Sequence, residues 1–320
     1  MNTHVRNVRR AAGERVALVT GGTDGIGAAV ALQLARAGDR VLLVGRSVVR
    51  GAQMLAALRV ARPGVAHAFL RADLSLLADT ARVADLVAEQ TDRLDAVVCC
   101  AGILSTIPEW TAEGLERNFV LNYLSRYLLA RRLLPALTRA PSGRLVLVSN
   151  AGMYGDSLDF DDLQYRRGRP GLKVSARTQF ANDLLATELA DRLRETRVEV
   201  TCVYPGIVNT GIFRNARGLP RIVQALAPTL QRLLAMSPEI AAQTPVFLAQ
   251  QDRAVGTGGR FFGPRIRQRR IPACAQRPER RSQLWAASED LVRPYLTTAA
   301  PASRPQAAPA PLTERQLLRA

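Results

Sequence analysis

Six short apolar runs alternate along the chain with longer segments of helical period. The runs are residues 15–20, 40–45, 65–70, 94–100, 144–149 and 198–204. Each run is almost continuously apolar, which is typical of a strand that is covered on both faces. Strands that alternate with helices favour a doubly wound parallel α/β sheet, whose ligands bind at the carboxyl ends of the strands.

The chain of 320 residues is predicted to form one domain, residues 14–296, between a flexible N-terminus (1–13) and an Ala/Pro-rich tail (297–320) with little to bury. Residues 214–236 carry apolar positions at helical spacing. Two interpretations of this segment stay open: a lid over a substrate site, or a packing helix or dimer surface. Homo-oligomers are therefore compatible with the sequence.

The composition is that of an ordinary soluble globular protein, with 48% hydrophobic and 22% charged residues. No apolar run approaches the ~20 residues of a membrane span, and the first fifteen residues lack the apolar core of a signal peptide. We therefore expect a cytoplasmic protein. The four cysteines lack metal-ligand spacing, so they are expected to be buried free thiols, with no metal site.

The formal net charge of +17 raises the question of a nucleic-acid partner. Arginines are scattered over nearly every segment instead of forming one stripe, so nucleic acid is disfavoured. The densest basic segment, residues 265–281, is the one place where a phosphate or acidic partner would dock, but a solvated loop is the favoured interpretation.

The first predicted strand runs directly into "TGGTDGIG", residues 20–27. Gly21 allows a tight turn, Gly25 lets the backbone approach a pyrophosphate, and Gly27 lets the helix pack close to the strand. The helix that follows offers its N-terminal N–H groups to phosphates. The stretch, with Thr23 and Ile26 among its members, predicts a Rossmann-like dinucleotide site.

The second predicted strand ends with Arg46 and Ser47. An acidic residue there would bind a ribose 2′-hydroxyl, whereas a basic one suits a 2′-phosphate, so we expect NADP(H) rather than NAD. Asp24 in the glycine loop argues mildly against this. Asp73, directly after the third run, is either an acceptor for the adenine amino group or a helix cap.

Together these motifs resemble the short-chain dehydrogenase/reductase family, most closely its retinol-dehydrogenase-like branch. "CCAG" (99–102) stands where the family has NNAG, "NFVLNYLSRYLL" (118–129) resembles the helix that carries the family's Asn, and "YPGIVNTGIF" (204–213) resembles the turn over the nicotinamide. The resemblance implies a cofactor role for Ala101, Gly102, Pro205, Gly206 and Val208. It also implies a structural and catalytic role for Asn122.

Catalysis in that family uses Ser, Tyr and Lys, the phenol giving or taking the proton while the Lys lowers its pKa. "FANDLLATELADRL" aligns Ser175 with the Tyr and Gln179 with the Lys, and the end of the fifth run aligns Asn150 with the Ser. We therefore expect Asn122, Asn150, Ser175 and Gln179 to form a neutral pocket without the usual proton relay. Ser175 and Gln179 share a helical face and are expected to face the nicotinamide.

Other residues do not replace the relay. Tyr165 has Arg169 four residues further on, but Pro170 follows directly, so the two residues cannot share a helix face. Tyr154 has no basic residue at that spacing, and Tyr127 lies on the helix that carries Asn122. Lys173 either bends back to the site or stays solvated.

Three functions remain open. The first is an atypical NADP(H)-dependent oxidoreductase acting on a medium-to-large apolar molecule, such as a product of secondary metabolism. The second is a non-redox cyclase or isomerase on the same fold, and the third is a nucleotide-binding relative without activity.

Overall fold

The structure of the protein is a computed structural model that describes residues 14–212, 216–218, 235–250 and 256–297. Within them, eight strands form one sheet in the order β3-β2-β1-β4-β5-β6-β7-β8. The strands are β1 (Val16–Thr20), β2 (Arg40–Gly45), β3 (Ala68–Arg71), β4 (Ala96–Cys99), β5 (Gly143–Val148), β6 (Val198–Val203), β7 (Phe261–Phe262) and β8 (Gln268–Arg269). Neighbours are parallel except β7 and β8, so the predicted doubly wound α/β fold is confirmed.

The third strand begins later than the sequence predicted, at Ala68 instead of residue 65. The ring nitrogen Nδ1 of His67 accepts a hydrogen bond from the backbone N–H of Val41 (3.0 Å), and the N–H of His67 donates to the carbonyl of Val65. At this point the His67 side chain takes the place of a backbone hydrogen bond between β2 and β3, and residues 65–67 form a turn.

Helices cover both faces of the sheet. They are α1 (Gly25–Arg36), α2 (Val48–Ala61), α3 (Leu77–Gln90), α4 (Ser125–Thr138), α5 (Lys173–Arg192), α6 (Pro238–Ala249) and α7 (Pro278–Val292). Alternate residues of each strand enter opposite cores, so Leu18 packs with the side of α3, α4 and α5, while Val19 packs with the side of α1 and α6.

The entry to α4 is irregular. A helical turn at Arg117–Phe119 continues as a π-helical turn at Val120–Leu124 before α4 begins. Single π turns are frequent at functional sites, because the extra residue changes the direction of side chains. Asn122 lies in the middle of this turn and is fully buried.

Some sequence predictions lie outside the described residues: the N-terminal segment 1–13, most of the tail, and most of the segment 214–236. No described helix combines the length and the apolar character needed to cross a bilayer.

Candidate active site

A cavity of about 820 Å³ opens at the carboxyl ends of β1, β2 and β4. Ten of the predicted cofactor residues line it: Gly21, Thr23, Gly25, Ile26, Gly27, Arg46, Ser47, Asp73, Ala101 and Gly102. Pro205, Gly206 and Val208 lie on the loop after β6, which reaches the cavity through Thr210–Ile212. The cavity wall, as far as the structure describes it, contains none of Asn122, Asn150, Ser175 or Gln179.

The glycine loop forms the floor of the cavity because two of its positions admit no side chain. Gly21 has a φ of +63°, and a Cβ there would lie 2.9 Å from the backbone of Ala101. A Cβ on Gly27 would lie 2.2 Å from the carbonyl oxygen of Gly21. These two glycines let the loop pack closely against the segment after β4 and against the start of α1. With Gly25 they also leave the loop backbone without side chains where it lines the cavity, as a pyrophosphate requires.

Two arginines stand at the outer rim, each beside a carboxylate. Arg46 lies 4.0 Å from Asp73, and Arg50 lies 2.7 Å from Asp24, the side chain of which also caps α1 by accepting from Gly25 N–H. Arg50 was not predicted, although it lies in the first turn of α2, only four residues after Arg46.

Ser47 and Asp73 have local partners as well as positions on the wall. The Ser47 hydroxyl caps α2 by accepting from Arg50 N–H (3.3 Å). One Asp73 oxygen accepts from both the N–H (3.0 Å) and the hydroxyl (2.7 Å) of Ser75. Asp73 therefore closes a turn before α3, while its second oxygen remains on the side of Arg46.

Asn122 acts as a clamp. Its Oδ1 accepts from Ile103 N–H (2.9 Å), and its Nδ2 donates to Ile103 C=O (3.0 Å) and to the Thr178 hydroxyl (3.2 Å). All of its side-chain polar atoms are thereby used within the protein. The clamp fixes the segment after β4, where Ile103 and Leu104 line the cavity.

Ser175 is held by a loop instead of facing the cavity. Its hydroxyl donates to Ser105 C=O (2.9 Å) and accepts from Ser105 N–H (2.9 Å), and only 5% of the residue is exposed. This placement differs from the expectation that Ser175 faces the nicotinamide. The sequence carried no signal for it, because Ser105 is 70 residues away along the chain.

Gln179 and Asn150 are joined at the end of β5. The Gln179 Oε1 atom accepts from the Ser149 hydroxyl (3.0 Å) and from Asn150 N–H (3.1 Å). Both Gln179 and Asn150 are half-buried. The amide thus fixes the strand end that presents the Asn150 side chain.

A buried carboxyl lies one turn further along α5. Asp183 is fully buried, and its Oδ2 accepts from Gly152 N–H (2.9 Å) while the Cys202 thiol lies 3.7 Å from its Oδ1. Burial raises the pKa of Asp183 to about 8, against a smaller opposing effect of the Gly152 hydrogen bond. No local sequence motif marks this residue.

A buried cation lies behind the cavity wall. Arg126 donates to Ala101 C=O (2.9 Å) and to the Asn182 side chain (3.2 Å), and it forms no ion pair with a described carboxylate. Burial lowers its pKa. Burial also raises the pKa of the Cys100 thiol on the cavity wall to about 12, so this thiol is a poor proton donor at neutral pH.

The remaining candidates for a proton donor, three tyrosines and Lys173, do not line the cavity. The Tyr127 hydroxyl donates to Glu289 of α7 (2.5 Å), the Tyr165 hydroxyl donates to Arg169 C=O (3.2 Å), and Tyr154 is partly exposed. Lys173 is the exposed first residue of α5.

Arg117 and Arg217 also line the cavity and share Glu109 as their carboxylate partner. Neither was predicted, because tertiary packing alone brings residues 109, 117 and 217 together. The Arg217 backbone pairs with the segment that Asn122 and Ser175 hold, since its C=O accepts from Thr106 N–H (2.9 Å).

A parallel sheet in this order, with a glycine loop after its first strand and a cavity above it, defines a dinucleotide-binding protein of the α/β class. Residues 15–158 match the model of the family described as short chain dehydrogenase. The chain is 34% identical over 279 residues to human dehydrogenase/reductase SDR family member 13, covering 87% of this chain and 73% of that protein. It is 31% identical over 292 residues to human retinol dehydrogenase 14, covering 87% and 86%.

A solved structure of a short chain dehydrogenase is also similar to this chain. A short chain dehydrogenase from Escherichia coli CFT073, complexed with NADPH, superposes with a TM-score of 0.60 at 26% identity over 78% of this chain and 95% of that one. The chain belongs to the short-chain dehydrogenase/reductase family of oxidoreductases.

Proposed function

We propose that the protein is an NADP(H)-dependent oxidoreductase of atypical mechanism that acts on a medium-to-large apolar metabolite. The observation that carries the proposal is the bare glycine floor of the cavity beneath a rim that holds Arg46 and Arg50. Two guanidinium groups suit the 2′-phosphate that distinguishes NADP(H) from NAD(H). The related E. coli structure complexed with NADPH supports the same cofactor.

In this proposal, the cofactor residues divide by the part of the nucleotide they contact. The glycine loop and the start of α1 hold the pyrophosphate, and Arg46, Ser47 and Arg50 hold the 2′-phosphate. Ala101, Gly102 and the loop from Pro205 to Val208 flank the nicotinamide half. When bound, NADP(H) supplies or accepts a hydride at this end.

The apolar substrate class is supported by the inner wall of the cavity. Ile103, Leu104, Leu121 and Ile212 are among the apolar side chains that line it beyond the glycine loop. A relative is named for retinol, a long apolar alcohol. A substrate of this type gains affinity mainly from the apolar area it removes from water.

The proposed chemistry follows from neutral side chains. Asn150 orients the substrate oxygen or nitrogen, Gln179 positions Asn150, and Asn122 and Ser175 position the segment 103–107. None of these four groups cycles a proton near neutral pH. The substrates that fit are therefore those that need little acid from the enzyme, such as a protonated imine or a conjugated enone that takes its proton from water.

A second candidate is a protein that binds NADP(H) without turnover. The observation that favours it is the Ser175 hydroxyl, which hydrogen-bonds the Ser105 backbone twice and the Asn118 side chain once (3.4 Å), all within the protein.

The two candidates are separated by one experiment. NADPH and NADH are titrated by fluorescence, and the protein is then incubated with NADPH and a polyene aldehyde, a cyclic imine or a conjugated enone while nicotinamide absorbance is followed. Tighter binding of NADPH with its oxidation supports the first candidate, and binding without oxidation supports the second. Substrate conversion that is unaffected by removal of the nucleotide would contradict both and indicate a non-redox isomerase or cyclase.

A further inference from the structure

The turn between β7 and β8 projects from the carboxyl edge of the sheet, the edge at which the cavity opens. Residues 264–267 form its tip, and α6 anchors it. The N–H of Ile266 donates to the Thr244 hydroxyl (3.0 Å), and this hydroxyl donates to Gly263 C=O (3.1 Å). Gly263 N–H in turn donates to Arg267 C=O (2.7 Å), so the tip is a fixed structure.

This turn belongs to the most one-sided stretch of charge in the chain. Residues 256–278 contain six arginines (Arg260, Arg265, Arg267, Arg269, Arg270 and Arg277) and no acidic residue. Arg265, Arg267 and Arg270 are exposed, and none of them forms an ion pair with a carboxylate in the part of the chain that the structure describes. Their charges are therefore available to an external anion.

Large apolar side chains stand exposed around the same turn. Ile207 is 58% exposed, Met153 47% and Ile266 39%. Arg269, on β8, joins the hairpin to two neighbouring loops, because its guanidinium donates to the Met153 sulfur (3.1 Å) and lies over the Tyr204 ring at 5.1 Å, three residues before Ile207. The loop after β6 also meets the turn, since a Cβ on Gly206 would lie 3.1 Å from Pro264.

The backbone at the tip is unusual. Arg265 and Ile266 have φ values of +57° and +60°. The left-handed region is unfavourable for a β-branched residue, so the surrounding hydrogen bonds must hold Ile266 in this conformation. The result is an apolar side chain exposed between two arginines.

We propose that the hairpin face, formed by residues 151–154, 205–207 and 264–270, docks on the surface of a bilayer that contains anionic phospholipids. Arginines that border exposed apolar side chains match this surface, because the charges meet the lipid phosphates while Ile207, Met153 and Ile266 enter the boundary below them. The loop after β6 also supplies Thr210–Ile212 to the cavity wall, so a docked protein has its cavity close to the lipid.

Two other partners fit this face less well. Nucleic acid uses arginines for its phosphates, but its bases receive aliphatic side chains only when a base step is unstacked, which costs a few kcal/mol per step. A second copy of the chain joined across a two-fold axis would bring Arg265 and Arg267 against their own counterparts, with no carboxylate on the face to offset them. The proposal goes beyond the proposed reaction, since docking requires neither nucleotide nor turnover.

The test is co-sedimentation of the full chain with vesicles of phosphatidylcholine alone and of phosphatidylcholine with phosphatidylglycerol. The variant Arg265→Glu/Arg267→Glu is compared with Arg36→Glu/Arg194→Glu, which makes the same change of charge. Arg36 ends α1 and Arg194 follows α5, so both are exposed at the opposite edge of the sheet. Circular dichroism and NADPH titration establish that each variant is folded.

The wild type and the control variant are expected to bind the anionic vesicles, with binding that weakens as salt is added, and to bind neutral vesicles poorly. The hairpin variant is expected to lose at least about tenfold in affinity, and Ile266→Ser is expected to weaken binding severalfold at a given salt concentration. Equal loss in both double variants would overturn the proposal, since it would reflect net charge alone. It would also be overturned by failure of the wild type to bind anionic vesicles, whether or not the face binds duplex DNA or a second copy instead.

Discussion

The carboxyl edge has a proposed nucleotide half, around Arg46 and Arg50, and a proposed reaction half, around Asn122, Ser175 and Gln179, and the two halves differ in what their polar groups contact. In the nucleotide half, Arg46 and Arg50 stand at the rim of an open cavity with bare backbone beneath them. In the reaction half, Ser175, Gln179 and Asn122 use their polar atoms on the protein's own backbone and side chains. The first arrangement suits a ligand, and the second is a closed internal network.

This difference has a measurable consequence. Substitutions in the nucleotide half should change ligand affinity with little effect on stability, because the groups there are exposed. Substitutions in the reaction half should change the free energy of unfolding more than any turnover, because the groups there are buried and bonded internally.

The largest effect is expected at the buried ion pair that joins α5, the helix of Ser175, to the turn before Asn122. Arg177 donates to Glu116 and to Leu163 C=O (2.7 Å), and both charged groups are almost fully buried. Removal of the guanidinium in Arg177→Ala leaves Glu116 buried without its cation, which is expected to cost about 3–5 kcal/mol in the free energy of unfolding. Urea unfolding monitored by circular dichroism measures it.

The matched control is Arg293→Ala, which removes an exposed partner of Asp290 and is expected to cost less than about 1 kcal/mol. Similar costs for the two variants would contradict the view that the reaction half is a buried structural network.

The next effect concerns pH and Asp183. Burial raises the pKa of this carboxyl from 3.8 to about 8, so the folded protein favours the protonated form. The contribution of Asp183 to stability is therefore fully present below about pH 4, falls as the pH rises toward 8, and is lost above that. We expect Asp183→Asn to be more stable than the wild type at pH 8.5 by about 2–4 kcal/mol, with a smaller difference at pH 5.

Urea unfolding at both pH values checks the sign. Asp191→Asn, at an exposed position on the same helix, is the control and should not change the pH dependence appreciably. A variant that is less stable than the wild type at pH 8.5 would mean that the ionised carboxylate is favourable in the folded protein.

In the nucleotide half, Arg46→Asp is expected to lower the affinity for NADPH by about 10–100-fold and to make NADH the tighter ligand. The guanidinium forms a charge-assisted contact worth about 1.5–3 kcal/mol, and the new carboxylate repels a 2′-phosphate while accepting from a 2′-hydroxyl. Fluorescence titration measures both affinities, and urea unfolding should show little change.

Arg36→Asp, at the opposite edge of the sheet, controls for net charge. If Arg46→Asp still binds NADPH more tightly than NADH, the contact with the 2′-phosphate belongs to Arg50 or Arg117 instead of Arg46.

The same contrast explains what the sequence could predict. The strands, the glycine loop and Arg46 could be predicted because each is recognised from consecutive residues. Continuous apolar runs indicate buried strands, and glycines between a strand and a helix indicate the loop. Among the six predicted strands, β3 departs furthest from its predicted start, because the observed start depends on the His67 side chain bonding to β2. The two-residue strands β7 and β8 were not among the six runs. In the reaction half, Ser175 meets Ser105, and Arg117 and Arg217 share Glu109. These contacts join distant segments, so no local pattern reveals them.

The smallest effect is expected for turnover in Ser175→Ala. A simple ketone needs a proton as hydride arrives, and general acid catalysis contributes about 10²–10⁴-fold, so the wild type should reduce simple ketones very slowly. Whereas the Asn150 side chain is half-exposed, the Ser175 hydroxyl is bound to Ser105 and is buried. Its removal should therefore change this slow rate by less than about threefold, roughly 0.6 kcal/mol, while lowering stability by about 1–3 kcal/mol.

NADPH oxidation with a simple ketone measures the rate, and Asn150→Ala is the comparison, since the proposed substrate contact predicts a larger loss for it. The variant Asn150→Ser/Ser175→Tyr/Gln179→Lys restores the family's residue types and should gain ketone reduction if the phenol displaces the Ser105 segment. Brisk wild-type reduction that Ser175→Ala abolishes would mean that this hydroxyl leaves Ser105 and serves as the proton source. Brisk reduction that Ser175→Ala leaves unchanged would assign the proton to another group, with Tyr154 the first to substitute because it is partly exposed on the loop after β5.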